Sequence, residues 1–281
     1  CAWQDHLDES RSRRRMSDFT IGPAVQRLLD RLDAIAASLA QKDGTLALLG
    51  LGSVGLDIAR ADRYSDLDFF AVAEPSTVHR LRDQLAWLSA VNPLVFAHRN
   101  TADGWKILFE DGIFAEFAVF SPEQLPHIPF QAGRLVWARA GFDTNVLAPI
   151  RQADQTNVAW AVVEALTCLY VGLGRFWRGE RLAAQRMIQG NALDLVLKIM
   201  RVDEHAGPGA DPFDPSRRVE QIWPDRREWL KQACAGYGYS LEAAQILLTE
   251  LRRFGPLPSA LVAAIEALLH APTLKDDDAA F

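Results

Sequence analysis

Cysteine is scarce in this sequence, and the positions of its three cysteines argue against a cysteine-based metal site. Cys1, Cys168 and Cys234 are odd in number and far apart. No two of them have the short spacing of a paired metal-binding motif. This usage suits a reducing compartment, so we expect a cytoplasmic protein.

An uninterrupted run of about 20 apolar residues, which a membrane-spanning helix requires, is also lacking. The longest apolar stretch with helical spacing contains polar residues. At the N-terminus, CAWQDHLDESRSRRRM carries charges where a signal peptide has its apolar region. We therefore expect neither a membrane span nor a signal peptide.

The chain has no excess of basic charge. Its 281 residues include 30 Lys and Arg against 36 Asp and Glu, which gives a formal net charge of -6. Dedicated nucleic-acid binders present basic faces that neutralise phosphates, so nucleic acid is an unlikely partner on composition. Hydrophobic residues make up 49% of the chain. That content and this length are enough for a substantial core and suggest two domains.

Residues 48–73 contain several polar and acidic residues within an otherwise apolar stretch. The apolar run 47–50 predicts a buried strand, which Gly52-Ser53 ends. A second strand is predicted over 66–72. It opens with Asp66 and Asp68, which on a strand point to the same face about 7 Å apart.

Two carboxylates so close repel each other, and their apolar neighbours make ionisation costlier still. A positive partner should therefore compensate Asp66 and Asp68, and a hard divalent cation is the simplest candidate. Magnesium is held through one or two carboxylates together with substrate phosphates. The alternative is a solvated strand edge, where acidic residues are common.

The order of strand, Gly-Ser turn and Asp-x-Asp on the next strand resembles the nucleotidyltransferase superfamily of DNA polymerase β. The matching residues are Gly52, Ser53, Asp66 and Asp68. The segment 64–69, YSDLDF, looks closest to the lincosamide and aminoglycoside antibiotic nucleotidyltransferases. That resemblance implies a Mg²⁺-dependent enzyme that moves a nucleoside monophosphate from an NTP co-substrate to a hydroxyl of a small-molecule acceptor, here a lincosamide or an aminoglycoside.

The resemblance also implies roles for individual residues. Asp66 and Asp68 would hold Mg²⁺, and Gly52 and Ser53 would hold the distal phosphates of the nucleotide. Basic residues would assist at the phosphates. The candidates are Arg63 in the connection before the acidic pair and Arg178 at a helix junction in the second half of the chain.

Glu116 is the odd residue in the apolar strand predicted over 113–120. Burying it as an unpaired ion would cost several kcal/mol, so it should be paired, near water or near a metal. The resemblance implies a third carboxylate on a strand beside the acidic pair, and Glu116 is the candidate, as general base or as metal ligand. The alternative is an exposed Glu with a salt-bridge partner. Asp111 is a rival acid, but its place before Gly112 fits a turn better.

The predicted fold class is α+β. We expect a tail at 1–16, a nucleotidyltransferase domain over 17–150, a helical substrate-binding domain over 151–272 and a tail at 273–281. The first domain should hold a small mixed β-sheet flanked by helices, and the second should be an all-helical bundle. The active site is expected in the cleft between them. Continuous helices are predicted over 23–41, 76–91 and 180–202, among others.

Two other functions remain open from the sequence. The chain could be a nucleotidyltransferase of the toxin–antitoxin type that modifies a protein or a tRNA. It could also be a non-catalytic nucleotide-binding protein on the same fold. The sequence fixes neither the base of the nucleotide nor the acceptor, and it leaves a homodimer open.

Overall fold

A computed structural model describes residues 21–149, 156–204, 211 and 213–271. The chain divides into two compact units, Cys1–Gln152 and Ala153–Phe281. The predicted tails at 1–16 and 273–281 lie outside the described residues, and so does the segment around the predicted domain boundary at 150.

The first unit is built on a six-stranded mixed sheet with the order β3-β4-β5-β2-β1-β6. Strands β2 and β5 pair in parallel, whereas every other neighbouring pair is antiparallel. A mixed sheet in one unit and helices in the other confirm the predicted α+β class. The strands are β1 (Thr45–Leu51), β2 (Leu67–Ala73), β3 (Leu94–Arg99), β4 (Gly104–Phe109), β5 (Phe114–Phe120) and β6 (Arg134–Ala138).

One face of this sheet is covered by helices and holds the larger core. Helix α1 (Pro23–Ala40) begins with proline in its first turn, where no backbone N–H is needed, and buries one apolar face. The alternate residues Leu67, Phe69 and Ala71 of β2 point into the same core. Their neighbours therefore point to the opposite face, where a smaller cluster around Val72 and Phe120 packs.

The prediction of a single helix over 76–91 is wrong. The segment forms two helices, α2 (Pro75–Asp83) and α3 (Ala86–Ser89), because Gln84 between them takes an extended conformation. Trp87 is 1% exposed, and its indole N–H donates to the Leu81 carbonyl at 3.1 Å. The break thus lets a large aromatic side chain enter the core with its polar atom hydrogen-bonded.

The second unit is helical over its described residues and packs around one long apolar helix. Its helices are α4 (Val158–Trp177), α5 (Arg181–Gln185), α6 (Leu193–Asp203), α7 (Val219–Ile222), α8 (Arg227–Ala233), α9 (Ser240–Leu251) and α10 (Ser259–Leu269). A π-helical segment, Arg186–Ala192, joins α5 to α6. The single helix predicted over 180–202 therefore contains a change of helical type that the sequence does not predict.

Among the described residues, helix α4 is long and apolar enough to cross a membrane by length and composition alone, with a mean hydropathy of 1.4. Core helices of folded domains meet the same criterion, so the expectation of no membrane span stays a prediction. In the second unit the apolar residues of α4 form much of the core: Ala161, Val162, Ala165, Leu166, Cys168, Leu169 and Leu173. At Gly172 an added Cβ would lie 2.6 Å from Ile188 Cγ1, so the glycine lets the π-helical segment pack closely on α4.

Asp111 ties α1 to the turn between β4 and β5. Its carboxylate lies 2.8 Å from the Arg31 guanidinium and 3.2 Å from that of Arg27. Partial burial alone would raise the pKa of Asp111, but the charge of Arg31 and the hydrogen bond from Arg27 outweigh it, so the pKa lies below its usual range. The residue thus has the turn role expected for it.

We expect Asp111→Asn to lower the free energy of unfolding by about 0.5–1 kcal/mol at pH 7, the usual range for a partly exposed ion pair. A carboxyl group with a lowered folded-state pKa stabilises above its unfolded pKa of about 3.9, and this contribution is lost as pH falls through the folded-state pKa. Urea unfolding at pH 7 and in acid checks this. The control is Asp33→Asn, at an exposed position on α1, the helix that carries Arg27 and Arg31. A destabilisation that is equal at both pH values would contradict the ion-pair account.

Candidate functional site

Four ionisable residues form a row across the sheet, here called the polar row: Asp68, Glu116, Lys106 and His98. Asp68 of β2 lies beside Glu116 of β5, Glu116 beside Lys106 of β4, and Lys106 beside His98 of β3. Neighbouring strands are about 4.8 Å apart, and side chains in register point to the same face. The two carboxylates are therefore direct neighbours.

Two polar side chains contact Glu116 near the beginning of β5. The Lys106 ammonium lies 3.3 Å from Oε2, and the Asn100 amide donates to Oε1 at 2.9 Å. The Glu116 side chain is 43% exposed, so water reaches it as well. Glu116 is thus paired and reached by solvent, as expected for it. The same contacts also fit the alternative of an exposed Glu with a salt-bridge partner, so its role at a metal or as a base stays a prediction.

Lys106 and Asn100 are absent from the site predicted from the sequence. A two-residue turn at Asp111-Gly112 would place Lys106 opposite Phe117. The observed turn is one residue longer, since the Gly112 N–H donates to the Phe109 carbonyl at 2.9 Å and the Phe109 N–H donates to the Ile113 carbonyl at 2.9 Å. This register puts Lys106 opposite Glu116. A three-residue turn that ends in glycine is the sequence signal from which this pairing could have been predicted.

Gly52 brings the backbone against Asp68 at the end of β1. It has a φ of +53°, and a Cβ added there would lie 2.6 Å from Asp68 Oδ2. Glycine is the residue that best tolerates both the left-handed conformation and the close approach. Ser53, the next residue, is 6% exposed within a short 3₁₀ turn over Gly52–Val54.

Asp66 lies one residue before β2 and not within it, in contrast to the predicted strand. It is half-buried and lines a hollow of about 340 Å³ together with Arg63, beside α1 and the turn after β4. No group of three or more His, Cys, Asp or Glu side chains in the described parts of the chain is placed to hold a metal ion. The three-ligand set of Asp66, Asp68 and Glu116 therefore stays a prediction.

The two arginines predicted at the nucleotide make local contacts. The guanidinium of Arg63 lies over the ring of Tyr64, 4.6 Å from its centroid, and donates to the Tyr64 hydroxyl. Arg178 is 64% exposed and lies 3.1 Å from Glu180. It belongs to the second unit, whereas Arg63 belongs to the first.

The polar row suits a hard divalent cation in the type and number of its oxygen ligands. Magnesium sites commonly use one or two carboxylates and complete their shell with water and substrate phosphates. Asp68 and Glu116 are adjacent, both are partly exposed, and Gly52 leaves room beside Asp68. Lys106 already provides one positive charge next to this pair of acids.

No protein-family model matches the sequence, and no curated protein matches it. Among solved structures, an aminoglycoside 6-adenyltransferase from Bacillus subtilis is 12% identical, with a TM-score of 0.32 over 87% of this chain and 92% of that one. A nucleotidyltransferase-like protein from Exiguobacterium sibiricum is 10% identical, with a TM-score of 0.36 over 86% of this chain and 78% of that one. At these TM-scores the similarity assigns no reaction, so the function proposed below rests on the residues of this chain.

The close approach of Gly52 to Asp68 leads to a stability prediction. We expect Gly52→Ala to lower the free energy of unfolding by about 1–3 kcal/mol, because the left-handed conformation is strained and the new Cβ meets the carboxylate. Gly112→Ala is the matched control, since its φ is +86° but no atom lies within 4 Å of the added Cβ. In urea unfolding Gly52→Ala should cost more than Gly112→Ala, and equal costs would contradict the contact with Asp68.

Proposed function

We propose that the protein is a Mg²⁺-dependent nucleotidyltransferase. It transfers a nucleoside monophosphate from an NTP to a hydroxyl group of a small molecule and releases pyrophosphate. The observation that carries the proposal is the pairing of Asp68 with Glu116 on adjacent parallel strands, with Gly52 packed against Asp68. Magnesium in phosphoryl-transfer sites is usually held through one or two carboxylates together with substrate phosphates, and these two acids could supply such ligands.

In this proposal Asp66, Asp68 and Glu116 are the residues that hold Mg²⁺. The bound ion would neutralise charge on the reacting phosphate and on its leaving group. Lys106 adds a positive charge on the same face of the sheet, close to where the phosphates would lie. Most of the rate should come from positioning and charge stabilisation, as in other phosphoryl-transfer enzymes.

The remaining residues would bind the nucleotide and the acceptor. The backbone of Gly52 and Ser53 lies next to Asp68 and would approach the distal phosphates. Arg63 would contact the phosphates of the nucleotide. The role predicted for Arg178 at the nucleotide stays a prediction. Glu116 either takes the proton from the acceptor hydroxyl or serves as a metal ligand. The acceptor class that the sequence resemblance implies is a lincosamide or an aminoglycoside antibiotic.

A second candidate function is nucleotide binding without transfer. The contacts of Glu116 favour it, because both carboxylate oxygens already have a partner in Lys106 or Asn100 and neither contact requires an acceptor molecule. In this case the polar row would recognise a magnesium nucleotide, and no acceptor would be used. Pyrophosphate release in the presence of acceptors separates the two functions.

We expect Asp66→Asn and Asp68→Asn to abolish transfer while the protein stays folded, because each removes a charged ligand of the proposed ion. Pyrophosphate release would be measured with each NTP, Mg²⁺ and a panel of lincosamides and aminoglycosides, with circular dichroism as the check on folding. Asp33→Asn, on the exposed face of α1, is the control. Full activity in either site variant would refute the metal assignment.

Glu116→Gln should reduce transfer by about 100-fold or more, the usual contribution of a general base. If Glu116 acts only as a base, the affinity for a non-hydrolysable Mg-NTP analogue stays unchanged; if it is a metal ligand, that affinity also falls. Single-turnover transfer and calorimetric titration separate these outcomes. Transfer at the wild-type rate would exclude Glu116 from both roles.

A further inference from the structure

The second unit contains a hollow that the proposed chemistry does not use, here called the arginine hollow. Its volume is about 540 Å³, which falls within the range of small-molecule sites. Its main lining side chains are Arg175, Arg181, Arg186, Met187, Asn191 and Tyr237. All of them belong to the helical unit.

The arginine hollow carries an excess of positive charge. Glu180 is the acid in its lining, and it is already paired with Arg178 at 3.1 Å. Within the described residues, no carboxylate forms an ion pair with Arg175, Arg181 or Arg186. Arg181 instead lies over the ring of Phe176 with its guanidinium 3.6 Å from the centroid. Guanidinium groups without a carboxylate partner are suited to bind a phosphate or a carboxylate through bidentate hydrogen bonds.

A buried glutamine outside the lining supports the loop that carries one lining residue of the arginine hollow. Gln189, in the π-helical segment, is 6% exposed. Its amide donates to the Gly236 carbonyl at 2.8 Å and accepts from the Gly236 N–H at 2.8 Å. These two hydrogen bonds fix the loop that carries Tyr237, which lines the hollow and is 59% exposed. Single π-helical turns inside α-helices are frequent at functional sites.

We infer that the arginine hollow binds a small anionic molecule in which a phosphate or carboxylate group is attached to a flat ring. The arginines would bind the anionic group, and Tyr237 would stack on the ring. This site goes beyond the proposed nucleotidyl transfer, because none of its residues belongs to the polar row. Its charge also disfavours a polycation, which three arginines would repel.

The test is calorimetric titration of the full chain with phenyl phosphate, benzoate and inorganic phosphate. We expect saturable binding of phenyl phosphate or benzoate, and the two probes distinguish a phosphate ligand from a carboxylate ligand. The double substitution Arg175→Gln and Arg186→Gln should weaken binding at least 10-fold, whereas Arg227→Gln, at an exposed arginine of α8 outside the lining, should leave it unchanged. Tyr237→Ala should weaken phenyl phosphate more than inorganic phosphate.

Three results would overturn the inference. They are no saturable binding of either aromatic anion to the wild-type protein, an equal loss in Arg227→Gln, and competitive displacement by a Mg-NTP analogue, which would assign the arginines to the nucleotide. Asp68→Asn should keep the affinity for phenyl phosphate, so a failure of the proposed transferase function leaves this measurement interpretable. Circular dichroism of the double variant checks that it is folded.

Discussion

The parallel pairing of β2 with β5 places two carboxylates side by side, and the polar face of the sheet depends on this contact. Like charges directly opposite each other on neighbouring strands are destabilising. The sheet carries Asp68 beside Glu116 nonetheless, with Lys106 and Asn100 on the far side of Glu116. Part of the repulsion is thus offset within the protein, and a bound cation would offset more of it.

On this face of the sheet, the apolar cluster and the two acidic side chains lie at opposite ends of the same two strands. Val72 and Phe120 pack in the smaller apolar cluster at one end of β2 and β5. Asp68 and Glu116 stand at the other end of the same strands, where their side chains are partly exposed. The alternation of β2 supplies the larger core on the opposite face with Leu67 and Phe69. One pair of strands therefore supports two apolar clusters and still presents its acids to solvent.

The elements that depend on local pattern could be predicted from the sequence. Apolar runs predicted β2 and β5, and a lone glutamate in an apolar strand made Glu116 a candidate. Lys106 was missed because the partner of Glu116 depends on the turn between β4 and β5, where one extra residue shifts the register. The break after α2 and the π-helical segment were missed for a related reason. Each lies at a buried side chain with distant partners, because Trp87 packs against Phe69 and Phe117 and Gln189 hydrogen-bonds to Gly236.

The proposed nucleotidyl transfer requires a magnesium nucleotide bound at the polar row, and calorimetry tests this binding most directly. The wild-type protein and the Asp66→Ala/Asp68→Ala double variant would be titrated with non-hydrolysable ATP and GTP analogues, with and without Mg²⁺. The account predicts that one analogue binds the wild type only when Mg²⁺ is present and that the variant loses this binding while it remains folded. Absence of binding to the wild type, or binding that needs neither Mg²⁺ nor the two aspartates, would contradict it.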